Sequence, residues 1–237
     1  MDIWKKINDL GDIHAIDYIG VAALTNYHDE LQAIGGSLAE SFPRALSIGI
    51  ILPHTIVELL ADRTSYENTL QYRTHAYQVI NQRLDLFSSI ISSVIQKSGY
   101  KAMPLLAAER IDNERVCATM PHKAAAYLAG FGWIGKNCLL ITPDNGPRVR
   151  WTTVLTDAPF VENHTLMDTR CGNCTACTAA CPAHAIKGRT FLRCESREMR
   201  LDVTKCENYF KTLKAEGKLP VCGMCLYACL HGRERRM

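Results

Sequence analysis

Long hydrophobic runs are missing from this chain: no stretch approaches the roughly 18 apolar residues of a membrane helix, and the charged residues within Met1 to Lys6 lead into no apolar export segment. A soluble protein of the cytoplasm, with no membrane partner, is the expectation. Charge of one sign is also in short supply. With 27 Lys and Arg against 24 Asp and Glu the formal net charge is +3, and the two signs are interspersed through the first two thirds, which leaves no footprint for nucleic acid there. Nucleic acid is accordingly not expected as a partner. Only beyond Cys181 does the balance tilt basic, through Lys187, Arg189, Arg193, Arg197 and Arg200 and then Arg233, Arg235 and Arg236, a distribution suited to a solvated face that offsets bound negative charge. Low-complexity segments are absent as well. At 237 residues and 47% hydrophobic, the chain can bury one good core and leave enough for a small second unit.

What the chain has in excess is cysteine, eleven in all. Tight C-x2-C pairs, an odd total and no export segment argue against an extracellular disulfide framework and for metal. Cys171, Cys174, Cys177 and Cys181, followed by Pro182, form the C-x2-C-x2-C-x3-C-P run of a bacterial-type ferredoxin, and Cys222, Cys225 and Cys229 repeat part of it with Cys206 upstream. Two intervening residues let successive thiolates point at one centre, whereas the fourth cysteine of such a run is carried off to the other cluster. The expected partition is therefore Cys171, Cys174, Cys177 and Cys229 for one 4Fe-4S cluster and Cys181, Cys206, Cys222 and Cys225 for a second. Zinc also takes four thiolates, but three cysteines within seven residues and a C-x3-C-P ending disfavour it. Cys229 lacks the Pro that usually follows, and Leu230-His231 stands there instead. Cys194 competes with Cys206 as a ligand, Cys138 reads as a small buried hydrophobe, and Cys117 precedes an Ala-rich helix where it could face a pocket.

Local patterns place these motifs on a fold. Ala45 to Leu52 is a short apolar run closed by Pro53, a buried strand. Ile80, Leu84, Phe87, Ile91 and Val94 recur at steps of three and four within a long amphipathic helix from about Tyr66 to Lys97, stopped by Gly99. Tyr100 to Leu106 reads as a strand and Pro121 to Ala129 as a helix ended by Gly130. Asn137 to Thr142 and Arg148 to Leu155 flank Pro143-Asp144-Asn145-Gly146 and suggest a hairpin. Together these predict an α+β class, a mixed sheet sandwich flanked by helices over residues 1–160, with a C-terminal two-cluster ferredoxin-like domain over 161–237.

The segment from His122 through AAAYLAGFGWIGKNCLLITPDNGPRVRWTTVLTDAPF, then CGNCTACTAACPAHAI, Lys205-Cys206-Glu207-Asn208-Tyr209 and VCGMCLYAC resembles the epoxyqueuosine reductase family, which belongs with corrinoid iron-sulfur proteins that include reductive dehalogenases. The resemblance covers roughly Ala107 to Gly232. It implies a cobalamin-binding α+β domain, two 4Fe-4S clusters that deliver single electrons to cobalt, a low-potential donor such as ferredoxin or flavodoxin, and a small or nucleotide-borne substrate of unknown identity. Two departures stand out. The stretch Val116 to Pro121 has no carboxylate where such reductases carry an acid before the Ala-rich helix, and a helical-repeat extension is missing, so tRNA binding is not expected.

Without that acid another proton donor is needed. His122, at the helix start, is the candidate catalytic residue, against the alternative that it caps or packs. Lys123 and Tyr127 share its neighbourhood and could bind an anionic group. Gly132 lets backbone approach a flat cofactor or the cluster domain, with Trp133 as an apolar wall or a core side chain and Lys136 toward a negative group. Gly130, Gly132 and Gly135 precede a strand, the wrong context for a dinucleotide fingerprint. Arg148 and Arg150 share a face that reads as solvated. The function expected is an iron-sulfur oxidoreductase that passes electrons to a cofactor or to substrate in the N-terminal domain; the resemblance implies a corrinoid, with flavin or no organic cofactor as the alternatives. The alternative is a non-catalytic electron carrier that docks a partner protein.

Overall fold

The computed structural model describes residues 2–27, 41–114, 116–162, 164–193 and 195–233. Cys194, Arg235 and Arg236 lie outside them. In chain order the elements are α1 (Ile3–Ile13), β1 (Tyr18–Ala23), β2 (Arg44–Ile51), α2 (His54–Glu58), α3 (Tyr66–Arg73), α4 (Ile80–Lys97), β3 (Ala102–Leu105), α5 (His122–Leu128), β4 (Trp133–Ile134), β5 (Leu140–Ile141), β6 (Val149–Thr156), α6 (Ala176–Ala179), α7 (Val203–Ala215) and α8 (Met224–Tyr227). They form two compact units interleaved along the chain. Met1–Ile51, Ile80–Gly132 and Val149–Met167 make the first, and Leu52–Val79, Trp133–Arg148 and Asp168–Met237 make the second. The division at residue 160 expected from sequence is a single cut.

In the first unit β2 is buried from Ala45 to Ile50, a run that is apolar apart from Ser47: both of its faces are covered. The sheet order is β1-β2-β6-β3. Every pair in it is antiparallel, with Gly49 opposite both Tyr18 and Trp151, and Leu155 opposite Met103. The class is α+β as expected, but the sheet is not mixed. β2 and β3 run the same way, and β6 enters between them in the opposite direction, so like-directed strands never pair.

One face of this sheet meets α5. Ala22, Ala45 and Leu155 pack there with Ala125, Leu128 and Ala129 of the Ala-rich helix and with Met120. Small side chains at the contact let helix and sheet approach closely. Farther along the same face Phe131 stacks on Trp151 at 5.5 Å, and Tyr18 meets both rings. The space for those rings comes from two glycines: a Cβ on Gly20 would lie 2.6 Å from Phe131, and one on Gly49 2.5 Å from Trp151. The other face takes α4 and α1, as Asn81 Oδ1 accepts from Arg150 at 2.9 Å and Gly11 sits on Ile19.

The stripe on α4 is the predicted one with a single change. Ile80, Leu84, Phe87 and Ile91 are buried, and the fifth position is Ile95, while Val94 is half-buried. Each buried side chain contributes about 1.5–3 kcal/mol. The long helix is interrupted: Thr74–Val79 is π-helical between α3 and α4, and the boundary between the two units falls at its end. Gly99 at φ +90 ends α4, with the Tyr100 N–H on Ile95 O. Gly130 at φ +71 ends α5 the same way, with the Phe131 N–H on Ala126 O.

The predicted hairpin does not form. Leu140–Ile141 pairs with Trp133–Ile134 in a separate two-stranded ladder within the second unit, while β6 joins β2 and β3. Thr142 and Gly146 close the intervening turn on each other. The turn chemistry was legible, but long-range pairing of the apolar β6 decided its partner. Arg148 also departs from expectation. It is 1% exposed, bonded to Glu58 at 2.8 Å and to His54 at 3.1 Å, and so does not belong to a solvated face.

Candidate metal centre

The cysteines of the second unit are set by short, tightly bonded turns. The Cys174 N–H returns to Cys171 O at 2.9 Å around Gly172, which adopts φ +45, and Cys177 follows on the single turn α6. The chain then turns away through His184 N–H to Cys181 O, and the Ala185 N–H donates to Cys181 Sγ at 3.3 Å. Ile186 bridges to Leu201, and Asp202 caps α7 by accepting from the Lys205 N–H, which places Cys206 in the first turn. Cys181 packs with Ala185 and Ile186, and Cys206 and Cys225 lie against that cluster. Gly223, at φ +99, admits Tyr72 and Leu60 where a Cβ would sit, which seats Cys222 and Cys225 over α3 and the turn before it.

Burial raises several of these thiols, and neighbouring thiols add to it. Burial pushes the Cys229 thiol up to about 12, and the neighbours that raise it further are Cys171, Cys177 and Cys174. Burial likewise lifts Cys206 to about 11, with Cys222 and Cys181 adding to it. Cys225 is raised by burial and then by Cys222, Cys206, Cys181 and Cys177. Cys177 is raised by burial, with Cys171 and Cys174 adding to it. Thiols crowded and desolvated in this way hold their protons unless a cation takes their place.

Cys171, Cys174, Cys177 and Cys229 line one small cavity of ≈ 30 Å³, together with Lys136 and His231. Among the described residues no three His, Cys, Asp or Glu side chains converge to hold a single metal ion. Four thiols around one cavity are a donor set that suits a four-iron cluster. None of the ten described cysteines is in a disulfide. Cys138 is buried at 3%, as expected, but in a turn at φ +59 and not in a strand. Cys117 is half-buried and bridges Asp112.

The residues named for a cofactor fall in both units. Lys123, Tyr127 and Gly132 are in the first, with Tyr127 against the helix–sheet core. Trp133 and Lys136 are in the second. Trp133 is 1% exposed, edge-on to His231 at 4.9 Å and capped by Arg170 at 5.4 Å, and its Nε1–H is buried with no hydrogen-bond partner. Lys136, 8% exposed, donates from Nζ to the carbonyls of Gly172 and Cys174 at 2.7 and 3.1 Å, so its charge stands at the first cysteine loop. Asn137, which the sequence reading passed over, donates to Cys225 O at 3.0 Å. The Gly-Lys-Asn stretch thus straps both cysteine motifs.

In the first unit His122 has both ring nitrogens occupied. A carbonyl can only accept, so Nε2–H donates to Leu106 O at 2.9 Å and Nδ1 faces Thr153 Oγ1 at 2.9 Å. Burial holds its pKa below the ordinary value. A carboxylate from outside Val116–Pro121 reaches the loop before α5: Glu109 Oε1 accepts from the Thr119 N–H at 3.0 Å, and its charge reaches His122. Ten residues separate Glu109 from Thr119, so no contiguous motif marks it.

No family model matches the chain. It is 29% identical over 173 residues to the epoxyqueuosine reductase of Cellulophaga algicola, a match that covers 73% of this chain and 49% of the relative. In fold it is similar to a reductive dehalogenase described for B12-dependent dehalogenation, with a TM-score of 0.69, 18% identity and coverage of 94% of this chain and 30% of that one. An epoxyqueuosine reductase solved with a modified tRNA stem loop gives a TM-score of 0.62 at 16% identity, over 100% of this chain and 68% of the other. The resemblance read from the sequence therefore holds: the curated homologues carry the name epoxyqueuosine reductase, and the fold neighbours are such reductases and reductive dehalogenases. The chain spans about half the length, or less, of the curated relatives it matches. The expectation against nucleic acid finds no support, since one fold neighbour was solved with a tRNA stem loop. Among the described residues no helix is long and apolar enough to cross a membrane.

Proposed function

We propose that the protein is an iron-sulfur oxidoreductase. In this reading one 4Fe-4S cluster is ligated by Cys171, Cys174, Cys177 and Cys229 and a second by Cys181, Cys206, Cys222 and Cys225, in a ferredoxin-like arrangement. The observation that carries it is geometric: Cys171, Cys174, Cys177 and Cys229 line one cavity, and Cys206 and Cys225 pack against the buried cluster that holds Cys181. Clusters so bound would supply one-electron transfer at potentials set by burial and by hydrogen bonds to sulfur. The chain's own part is to fix that environment. The Ala185 N–H donates to Cys181 Sγ, and the Lys136 ammonium holds the first loop through two carbonyls while lending positive charge to the cavity.

The electron donor in this reading is a low-potential ferredoxin or flavodoxin. The acceptor is a corrinoid or a small or nucleotide-borne substrate, assigned from the resemblance alone, because Trp133 and Lys136, offered by the sequence for a cofactor, are taken up by the cysteine unit. The relatives are reductases and dehalogenases by name, which favours an enzyme over a passive carrier. Protein purified without air should contain about eight irons and matching sulfide. Cys229→Ala should halve the iron and remove one of two EPR signals, while Cys206→Ala removes the other. Zinc in place of iron, or one cysteine change that abolishes both signals, would defeat the reading. Mixing with cobalamin should shift its visible spectrum and retain it through desalting; a corrinoid that elutes free removes that acceptor and leaves the clusters.

A further inference from the structure

The second thiol group has a cation of its own, supplied from a distant part of the chain. Arg63 stands between the 3-10 turn Leu59–Asp62 and α3, on a segment held by four hydrogen bonds: Asp62 Oδ1 accepts from Thr64 N–H and Oγ1–H at 3.2 and 2.6 Å, Ser65 Oγ caps the helix through the Asn68 N–H, and Asn68 Nδ2 donates to Asp62 O. From this rigid base the guanidinium reaches two arms of the site. One nitrogen donates to Cys222 Sγ at 3.8 Å, and the other donates to the Tyr209 hydroxyl. The guanidinium carbon also lies 5.3 Å from the centre of the Tyr209 ring. Tyr209 is on α7 three residues after Cys206, the spacing that puts two side chains on one helix face. A single planar fork therefore ties the Cys222 arm to the helix that carries Cys206.

The first group is served differently. Lys136 donates to carbonyls and not to a sulfur. A charge-assisted N–H directed at a thiolate stabilises negative charge on that sulfur more than a cation held at the backbone does. A reduced cluster carries one more negative charge than an oxidised one, so donors to its sulfurs raise its reduction potential.

We propose that Arg63 is a positioning residue of the second thiol group and raises the reduction potential of the cluster bound there above the value that the same four cysteines would give alone. The proposal rests on the two-cluster reading, and its test separates the two. EPR-monitored redox titration of the anaerobic full-length protein should show two one-electron steps. In Arg63→Gln the step that Cys206→Ala abolishes should move to lower potential by a tenfold change in its reduction equilibrium, about 59 mV for one electron, while the other step stays. Arg63→Lys, which keeps charge but loses the fork to Tyr209, should move the same step by less. If the Gln variant fails to assemble the cluster, the Lys variant decides: a lowered second step supports the proposal, and two unmoved steps overturn it. About eight irons with both steps unmoved in Arg63→Gln overturns the role of Arg63 and leaves the clusters standing. Wild-type protein without two iron-based signals overturns both.

Discussion

Arg148 shows how much a single side chain can carry when water is excluded. It is 1% exposed, and its charge is met by Glu58, which keeps 33% of its side-chain surface in solvent. Removing one partner of a fully buried pair costs about 3–5 kcal/mol. Because Glu58 is partly wet, Glu58→Gln is expected to cost about 2–3 kcal/mol, whereas Arg148→Met, which removes the buried charge itself, should cost less. Urea unfolding of the two variants tests that order. His122 offers a pH test. Burial holds its folded pKa below the ordinary 6.5, so the unfolded chain binds a proton that the folded one refuses. Stability from this residue is complete above about pH 6.5 and declines as pH falls toward the lowered folded value. His122→Gln should flatten the decline in stability that sets in as pH falls below about 6.5. An equally steep decline in the variant would assign the effect to other groups.

At the scale of elements, the sheet's aromatic face is built on missing side chains. Gly49→Ala forces a methyl to 2.5 Å from the Trp151 ring and should destabilise the protein by about 1–3 kcal/mol, read as a lower midpoint in thermal unfolding. β2 was legible because helices cover both its faces and leave a run that is apolar apart from Ser47, and α4 because its stripe repeats at helical steps. Gly99 and Gly130 marked their helix ends for the same local reason. The hairpin was misread because Val149–Thr156 satisfies its backbone with strands far away in sequence, which no turn motif reports. Of the site, the thiols were visible through their spacing, whereas their supports were not. Arg63 carries no motif, and the partners of Lys136 and Asn137, carbonyls of the two cysteine motifs, are far away in sequence.

For the whole molecule, the cysteine-rich unit is assembled from three separated stretches, Leu52–Val79, Trp133–Arg148 and Asp168–Met237. A fragment of residues 161–237 keeps all eight proposed ligands but loses Arg63, Tyr72, Lys136 and Asn137. Expressed alone and reconstituted with iron and sulfide, it should hold well under half the iron of the full chain and lose it rapidly to a chelator. Stable, stoichiometric loading of the fragment would show that the supports are dispensable.

That interleaving also orders events during synthesis. The ribosome releases Arg63 and Lys136 long before it releases Cys229, so the early stretches must wait, incomplete, for that cysteine. Iron insertion would then be a finishing step, performed on a nascent protein whose other unit can already have gathered its sheet from residues emerging before position 168. A stop between Met167 and Cys229 would leave a folded sheet bearing an unfinished, thiol-rich remnant, a natural substrate for quality-control proteases.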